Sequence, residues 1–289
     1  MHQFSIGVLL DSFRTNLPAA MQKAAALGCA GIQVYAVRGE MAPENMTPDR
    51  CRAFRALARD NGLAVSALCG DLGRGFGDPA QNPGLIERSK RILELAGALG
   101  TRIVTTHIGV VPADPGHERY KVMQEACFAL AIYADSMNAH FAVETGPETS
   151  ATLKGFLDAL GSKGVAVNLD PANLVMVTGD DPAEAVYRLG DYIVHTHAKD
   201  GRKLRECDPE QIYGVRSVEE VVREGRAFAE LPLGEGDVPW DRYLRALREI
   251  HYRGFLTVER EVGDDPVRDI GLAVDFLKKQ KHCAFTSEI

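Results

Sequence analysis

The chain has 289 residues, a formal net charge of −7, and apolar and charged fractions of 45% and 25%. That length can bury the core of one barrel domain or of two smaller domains. The acidic balance excludes the basic footprint that DNA or an anionic membrane requires of a partner, while a small phosphorylated substrate, which needs only a few local cations, stays compatible.

Strand-like and helix-like segments alternate along the chain. Residues 4–10 read as a strand, and 17–27 as a helix whose Ala and Leu recur at helical spacing up to Gly28, a C-terminal cap. A second strand at 31–36 precedes Thr47, an N-cap, and Pro48, which opens a helix running to Asn61 and Gly62. The third strand, 63–69, leads into a Gly-rich loop at 70–77, expected as a mobile lid or a surface turn, and then a helix at 83–99. A fourth strand at 102–107 and a helix at 118–137 follow. The fifth strand, 140–144, has its helix at 151–160, and the sixth, 165–170, has its helix at 182–189.

Tyr192-Ile-Val-His-Thr-His-Ala-Lys-Asp200 is the seventh strand by its β-branched content and short length. The connection at 201–236 is longer and is expected to hold a short helix near 218–228. A helix at 239–250, the eighth strand at 254–261 and a helix at 266–279 complete the pattern. Eight strands alternating with helices predict a single (β/α)₈ TIM barrel domain over residues 1–289. A doubly wound open sheet is the alternative, but no Gly-x-Gly-x-x-Gly follows the first strand and the Gly-rich loop lacks a Walker ending. The cysteines, at 29, 51, 69, 127, 207 and 283, form no Cys-x-x-Cys pair, which suits reduced thiols. With no signal peptide or apolar span visible, the expectation is a cytoplasmic protein.

Side chains on a strand alternate between faces. Ile193, His195, His197 and Lys199 therefore share one face of the seventh strand. The same rule groups Ala142 with Glu144 on the fifth, Asn168 with Asp170 on the sixth, and Thr257, Glu259 and Glu261 on the eighth. Such groups suit the C-terminal mouth of a barrel, where that fold gathers its active site. Converging buried carboxylates repel one another and need a positive charge among them. Glu144, Asp170, His197 and Glu259 thus form a candidate ligand set for a divalent ion. Its oxygen-rich donors favour Mn²⁺ or Mg²⁺, with Co²⁺ and Zn²⁺ lesser fits. Each residue alone has a structural reading as a satisfied polar group, and it is the shared phase on separate strands that points to a metal.

The strings Gly31-Ile-Gln-Val-Tyr35, Val143-Glu-Thr-Gly146, Asn168-Leu-Asp-Pro-Ala-Asn173, His195-Thr-His-Ala-Lys-Asp200, Leu233-Gly-Glu-Gly-Asp237 and Thr257-Val-Glu-Arg-Glu261 occur in this order along the chain. In order and spacing the whole chain resembles the xylose isomerase-like superfamily of sugar phosphate isomerases and epimerases. The resemblance implies the same four metal ligands and assigns the proton chemistry to Glu144 and Glu259. In that scheme the metal holds a carbonyl and its neighbouring hydroxyl and stabilises the enediolate that proton removal leaves. Return of the proton to the other face gives an epimer, and return to the adjacent carbon gives an isomer.

Around this set, His107 is a candidate to bond a substrate hydroxyl or a metal-bound water, or else a histidine satisfied in the core. Asn173, Lys199 and Arg202 are further candidate substrate contacts, with a local pairing of Lys199 to acids as the alternative. His195, one layer deeper, reads as support. Two other activities occur among relatives of this kind. A lyase or dehydratase would use the same metal and proton abstraction but expel a leaving group, with His107 or Glu261 as the added acid. An endonuclease would need more histidines, yet Asn173 stands at one such position and residues 201–236 contain none. The expected partner is a small sugar or sugar phosphate, with no nucleic acid and no membrane. Exposed helices leave a homo-oligomer compatible.

Overall fold

Parallel strands need a crossover between them, and in this chain a helix supplies one at nearly every step. The computed structural model describes residues 4–213 and 226–283. Its strands are β1 (Ser5–Leu9), β2 (Gly31–Tyr35), β3 (Ala64–Cys69), β4 (Ile103–Thr106), β5 (His140–Glu144), β6 (Val165–Leu169), β7 (Ile193–Ala198), β8 (Asp200–Lys203), β9 (Phe228–Leu231) and β10 (Phe255–Val258). Eight of them close into a parallel barrel in the order β1-β10-β7-β6-β5-β4-β3-β2. Closure is made by β1 against β10, in register from Ser5 with Phe255 to Val8 with Val258. Among the described residues no helix is long and apolar enough to cross a membrane.

The alternation of faces sorts the core. Val8, Ile32, Leu68, Val104, Phe141, Val167 and Leu256 are fully buried and belong to the shell between barrel and helices, where apolar burial is the main stabilising term. The opposite face carries polar groups that satisfy one another inside the barrel. Gln33 Nε2 donates to Thr105 Oγ1 at 2.8 Å, and its Oε1 accepts from Nε2 of both His195, at 3.0 Å, and His197, at 3.1 Å. Caps set the surrounding helices, with Thr47 and Gly28 as the sequence predicts and Asn16 in addition. Asn16 accepts from Ala19 N, Thr47 from Arg50 N, and Gly28 ends the first helix at φ 82°.

The seventh strand is shorter than predicted and the long connection after it is differently built. β7 stops at Ala198, and Asp200 opens β8, which pairs antiparallel with β9. The buried Asp200 carboxylate is the reason. Its Oδ1 accepts from Gly201 N and Val238 N at 2.8 and 3.2 Å, and its Oδ2 from Gly234 N and Trp240 Nε1, both at 2.8 Å. A side chain committed to that many donors cannot point into the barrel. Gly236 is required beside it, since a Cβ there would lie 2.1 Å from Asp200 Oδ1. The helix expected near 218–228 lies outside the described residues except at its end, where Phe228 belongs to β9.

The Gly-rich segment at 70–77 is stitched to β4 and to the loop after it. Gly70 N donates to Thr105 O and Phe76 N to Ile108 O, each at 2.8 Å. Gly75, at φ +62°, lies so close that a Cβ would come within 2.7 Å of Ile108 O.

Candidate metal centre and active site

The ligand set assembles at the C-terminal end of the barrel. Glu144 is the last residue of β5, Asp170 follows β6, His197 lies within β7 and Glu259 follows β10. Each offers one atom to a group in which all ligand atoms lie within 4.8 Å of one another. His197 Nδ1 is central, at 3.3 Å from Glu259 Oε2, 3.5 Å from Asp170 Oδ2 and 3.6 Å from Glu144 Oε2. All four side chains are buried.

Neighbouring groups orient each ligand. Gln33 Oε1 accepts a hydrogen bond from Nε2 of His197, which turns Nδ1 toward the carboxylates, as a metal-binding imidazole requires. Asp170 Oδ1 caps the short helical turn Pro171–Asn173 by accepting from Ala172 N and Asn173 N, so its Oδ2 is left for the cluster. Asn173 Nδ2 holds Glu144 Oε1 at 2.9 Å and Asn168 Nδ2 holds Oε2 at 3.1 Å. Lys199 Nζ lies 3.1 Å from Glu259 Oε2 and also bonds Glu261.

The residues fit a bound cation. Asp170 Oδ2 and His197 Nδ1 are buried without a hydrogen-bond partner, a costly state for polar atoms that a divalent ion between them would relieve. Without an ion, charge is balanced by protons on nitrogen. Burial acts to lower the His197 imidazole, but Glu259 and Glu144 raise it well above its ordinary value. Burial also opposes the charge on Lys199, yet Glu259 and Asp170 hold it well above the usual range. For Glu259 the order is reversed: burial would raise its carboxyl, and Lys199 with His197 hold it far below the usual carboxylate range.

Above the cluster lies a cavity of about 900 Å³, at the large end of small-ligand pockets. Its lining is mixed, with Asp71 and His107 among the polar residues and Met176, Tyr213 and Phe228 among the apolar and aromatic ones. The described parts of the connection after β7 contribute to the cavity lining through Tyr213, Phe228 and Glu230. They are tied down by a pair between Arg119 and Glu210 and by Arg260 Nη1 on Glu230 Oε1 at 2.7 Å.

His107, Asn173 and Lys199 line this cavity, whereas Arg202 is not among its lining residues. Arg202 is half-exposed on β8 and bonded to Asp237 Oδ1 at 2.9 Å, with its Nη2 on Glu235 O. His195 lies beneath the cluster, and burial with the neighbouring His197 charge keeps it well below its ordinary pKa. Sequence reasoning did not single out Asp71, Tyr213 or Glu148. All three sit on loops without a strand or helix period, and the one signal near Asp71 was the glycine density around it.

No curated protein matches the chain. Among solved structures, a xylose isomerase domain protein from Planctomyces limnophilus is 25% identical and superposes with a TM-score of 0.78 over 97% of both chains. A probable 3-DHS dehydratase involved in petrobactin synthesis from Bacillus anthracis is 18% identical, at a TM-score of 0.74 over 95% of this chain and 99% of that one. A D-psicose 3-epimerase from Clostridium cellulolyticum H10, solved with D-tagatose, is 16% identical, at a TM-score of 0.70 over 96% and 99%. The family model for the xylose isomerase-like TIM barrel matches residues 21–280. With its closed barrel and a buried carboxylate and imidazole cluster at the mouth, this chain belongs to the xylose isomerase-like TIM barrel family.

Proposed function

We propose that this protein is a divalent-metal-dependent isomerase or epimerase of a sugar or sugar phosphate, with Glu144 and Glu259 as the proton-transferring carboxylates. The observation that carries the reading is the buried group of Glu144, Asp170, His197 and Glu259, with ligand atoms within 4.8 Å of one another. Its donors are oxygen-rich with one nitrogen, which favours Mn²⁺, with Mg²⁺ or Co²⁺ next and Zn²⁺ behind them. When bound, such an ion supplies Lewis acidity, polarising a substrate carbonyl and acidifying the neighbouring C–H.

The chain's own residues supply the rest. Glu144 and Glu259 come from opposite flanks of the cluster, because β6 and β7 stand between β5 and β10. One carboxylate can therefore take a carbon-bound proton from one side while the other returns a proton from the opposite side. That is epimerisation; return by the same carboxylate to the adjacent carbon is isomerisation. Asn168 and Asn173 fix the Glu144 carboxylate, and Lys199 does so for Glu259. Of the proposed substrate contacts, His107, Asn173 and Lys199 face the cavity, and Arg202 is left for the outer rim.

The test is incubation with Mn²⁺ and a panel of ketoses in deuterated water. Deuterium is expected to enter next to the carbonyl, and Glu144→Gln to reduce that entry by ~10³-fold or more, since a single catalytic acid or base contributes about 10²–10⁴-fold and here also binds the metal. A wild-type protein that holds no divalent ion, or that exchanges no proton with any sugar, overturns the proposal.

A metal-dependent lyase or dehydratase is the second reading, favoured by His107. Its Nδ1 lies 3.1 Å from Asp71 Oδ2 and it lines the cavity beside Glu144, where an imidazole could hand a proton to a leaving hydroxyl. Elimination products without deuterium entry would decide for it. The endonuclease reading has less support, because the ligand group found among the described residues includes one histidine only. We take the partner to be a small molecule and the location to be cytoplasmic, with association through exposed helices to be settled by mass measurement in solution.

A further inference from the structure

Asp71 and His107 stand just past the ends of adjacent strands β3 and β4, and they face each other across 3.1 Å, Asp71 Oδ2 to His107 Nδ1. The carboxylate is held at its other end too, because Oδ1 accepts from Gly73 N at 2.8 Å. The loop that carries it is fastened by Gly70 N on Thr105 O and by Phe76 N on Ile108 O. A carboxylate only accepts hydrogen bonds, so the proton in this pair sits on Nδ1 of His107 and that nitrogen is committed. The other nitrogen, Nε2, is buried and without a hydrogen-bond partner, 3.6 Å from Glu144 Oε1. Tyr213 packs on the imidazole with ring centroids 5.3 Å apart, which restrains its tilt. A ring locked by one nitrogen and unsatisfied at the other is arranged to receive something at the second.

We propose that Asp71 is a positioning residue: by holding Nδ1 it turns Nε2 of His107 toward the cavity, where it bonds an oxygen of the bound sugar. This rests on the reading of the cavity as a sugar site. The imidazole then contacts the substrate from the β4 side while Lys199 and Glu259 stand on the β7 and β10 side. Asp71, although it borders the cavity, acts in this scheme through the ring. The stitched 70–77 loop is what makes this work, since a mobile loop would not hold the ring to a hydrogen-bonding geometry.

Two measurements test it. The first is a double-mutant cycle on the deuterium-exchange reaction of the metal-loaded enzyme. Asp71→Ala and His107→Gln are each expected to lower kcat by ~10- to 100-fold, the usual effect of losing an orienting partner. Asp71→Ala is expected to add little once His107 is already Gln, and Asp71→Glu to recover part of the loss. Losses that multiply in the double variant overturn the proposal, because they show Asp71 acting independently of the ring. The second needs no activity: proton NMR of the wild type is expected to show a downfield ring N–H resonance that is missing in His107→Gln and lost in Asp71→Ala. Persistence of that resonance in Asp71→Ala also overturns it. If the wild type exchanges no proton with any sugar, the isomerase reading fails, while the NMR arm still decides whether Asp71 holds the ring.

Discussion

Glu148, on the loop after β5, is buried, with Oε2 accepting from Val111 N at 3.1 Å and Oε1 without a partner. Burial lifts its carboxyl to about 8, whereas the unfolded chain releases that proton near the ordinary value of 4.5. Between those two pH values the folded protein binds more protons than the unfolded one, so stability falls as pH rises through the window. Glu148→Gln keeps the shape and removes the ionisation. Urea denaturation at pH 7.5 is expected to show a gain of ~1–3 kcal/mol that vanishes near pH 4. The four ligands are a different matter at this scale. Strand alternation puts Glu144 and His197 on the inner face and, carried one residue past β6 and β10, Asp170 and Glu259 as well, because a pleat leaves a side chain only two directions. Glu148, Asp71 and Tyr213 obey no such rule, and their positions follow from loop paths set by distant contacts.

The connection between β7 and β10 shows where element-level reading stops. Asp200 looks, from sequence, like one more polar residue at a strand end, yet its carboxylate binds donors at Gly234, Val238 and Trp240, far along the chain. The Gly-Glu-Gly string is the counterpart of that carboxylate, and each is unreadable without the other. Asp-Gly-Arg-Lys gives no apolar alternation from which β8 could be inferred, since its partner is a single short strand and not a core. The barrel strands were legible because each buries one apolar row. Asp200→Ala is expected to destabilise the protein by ~2–4 kcal/mol, as loss of a buried hydrogen-bonded charge does. It should also open residues 200–238 to limited proteolysis, and Gly236→Ala should reproduce both effects. Unchanged melting and cleavage in Asp200→Ala would remove its role as the anchor of this connection.

At the scale of the molecule, the cluster leaves Asp170 Oδ2 and His197 Nδ1 buried without a partner, and a bound cation would satisfy both. An ion that binds only the native chain stabilises it by mass action, by ~2.7 kcal/mol at a hundred times its Kd. Mn²⁺ is accordingly expected to raise the melting temperature by about 5–10 °C over a chelated sample, with no shift in Asp170→Ala, as scanning calorimetry would show. The pairing of β1 with β10 adds a condition in time. Glu259 follows β10, whose barrel neighbours are β1 and β7, so the fourth ligand takes its place only once the last barrel strand has docked. A nascent chain that has not yet released the last barrel strand therefore lacks one of the four donors, and capture of an ion by the full set has to wait for that strand.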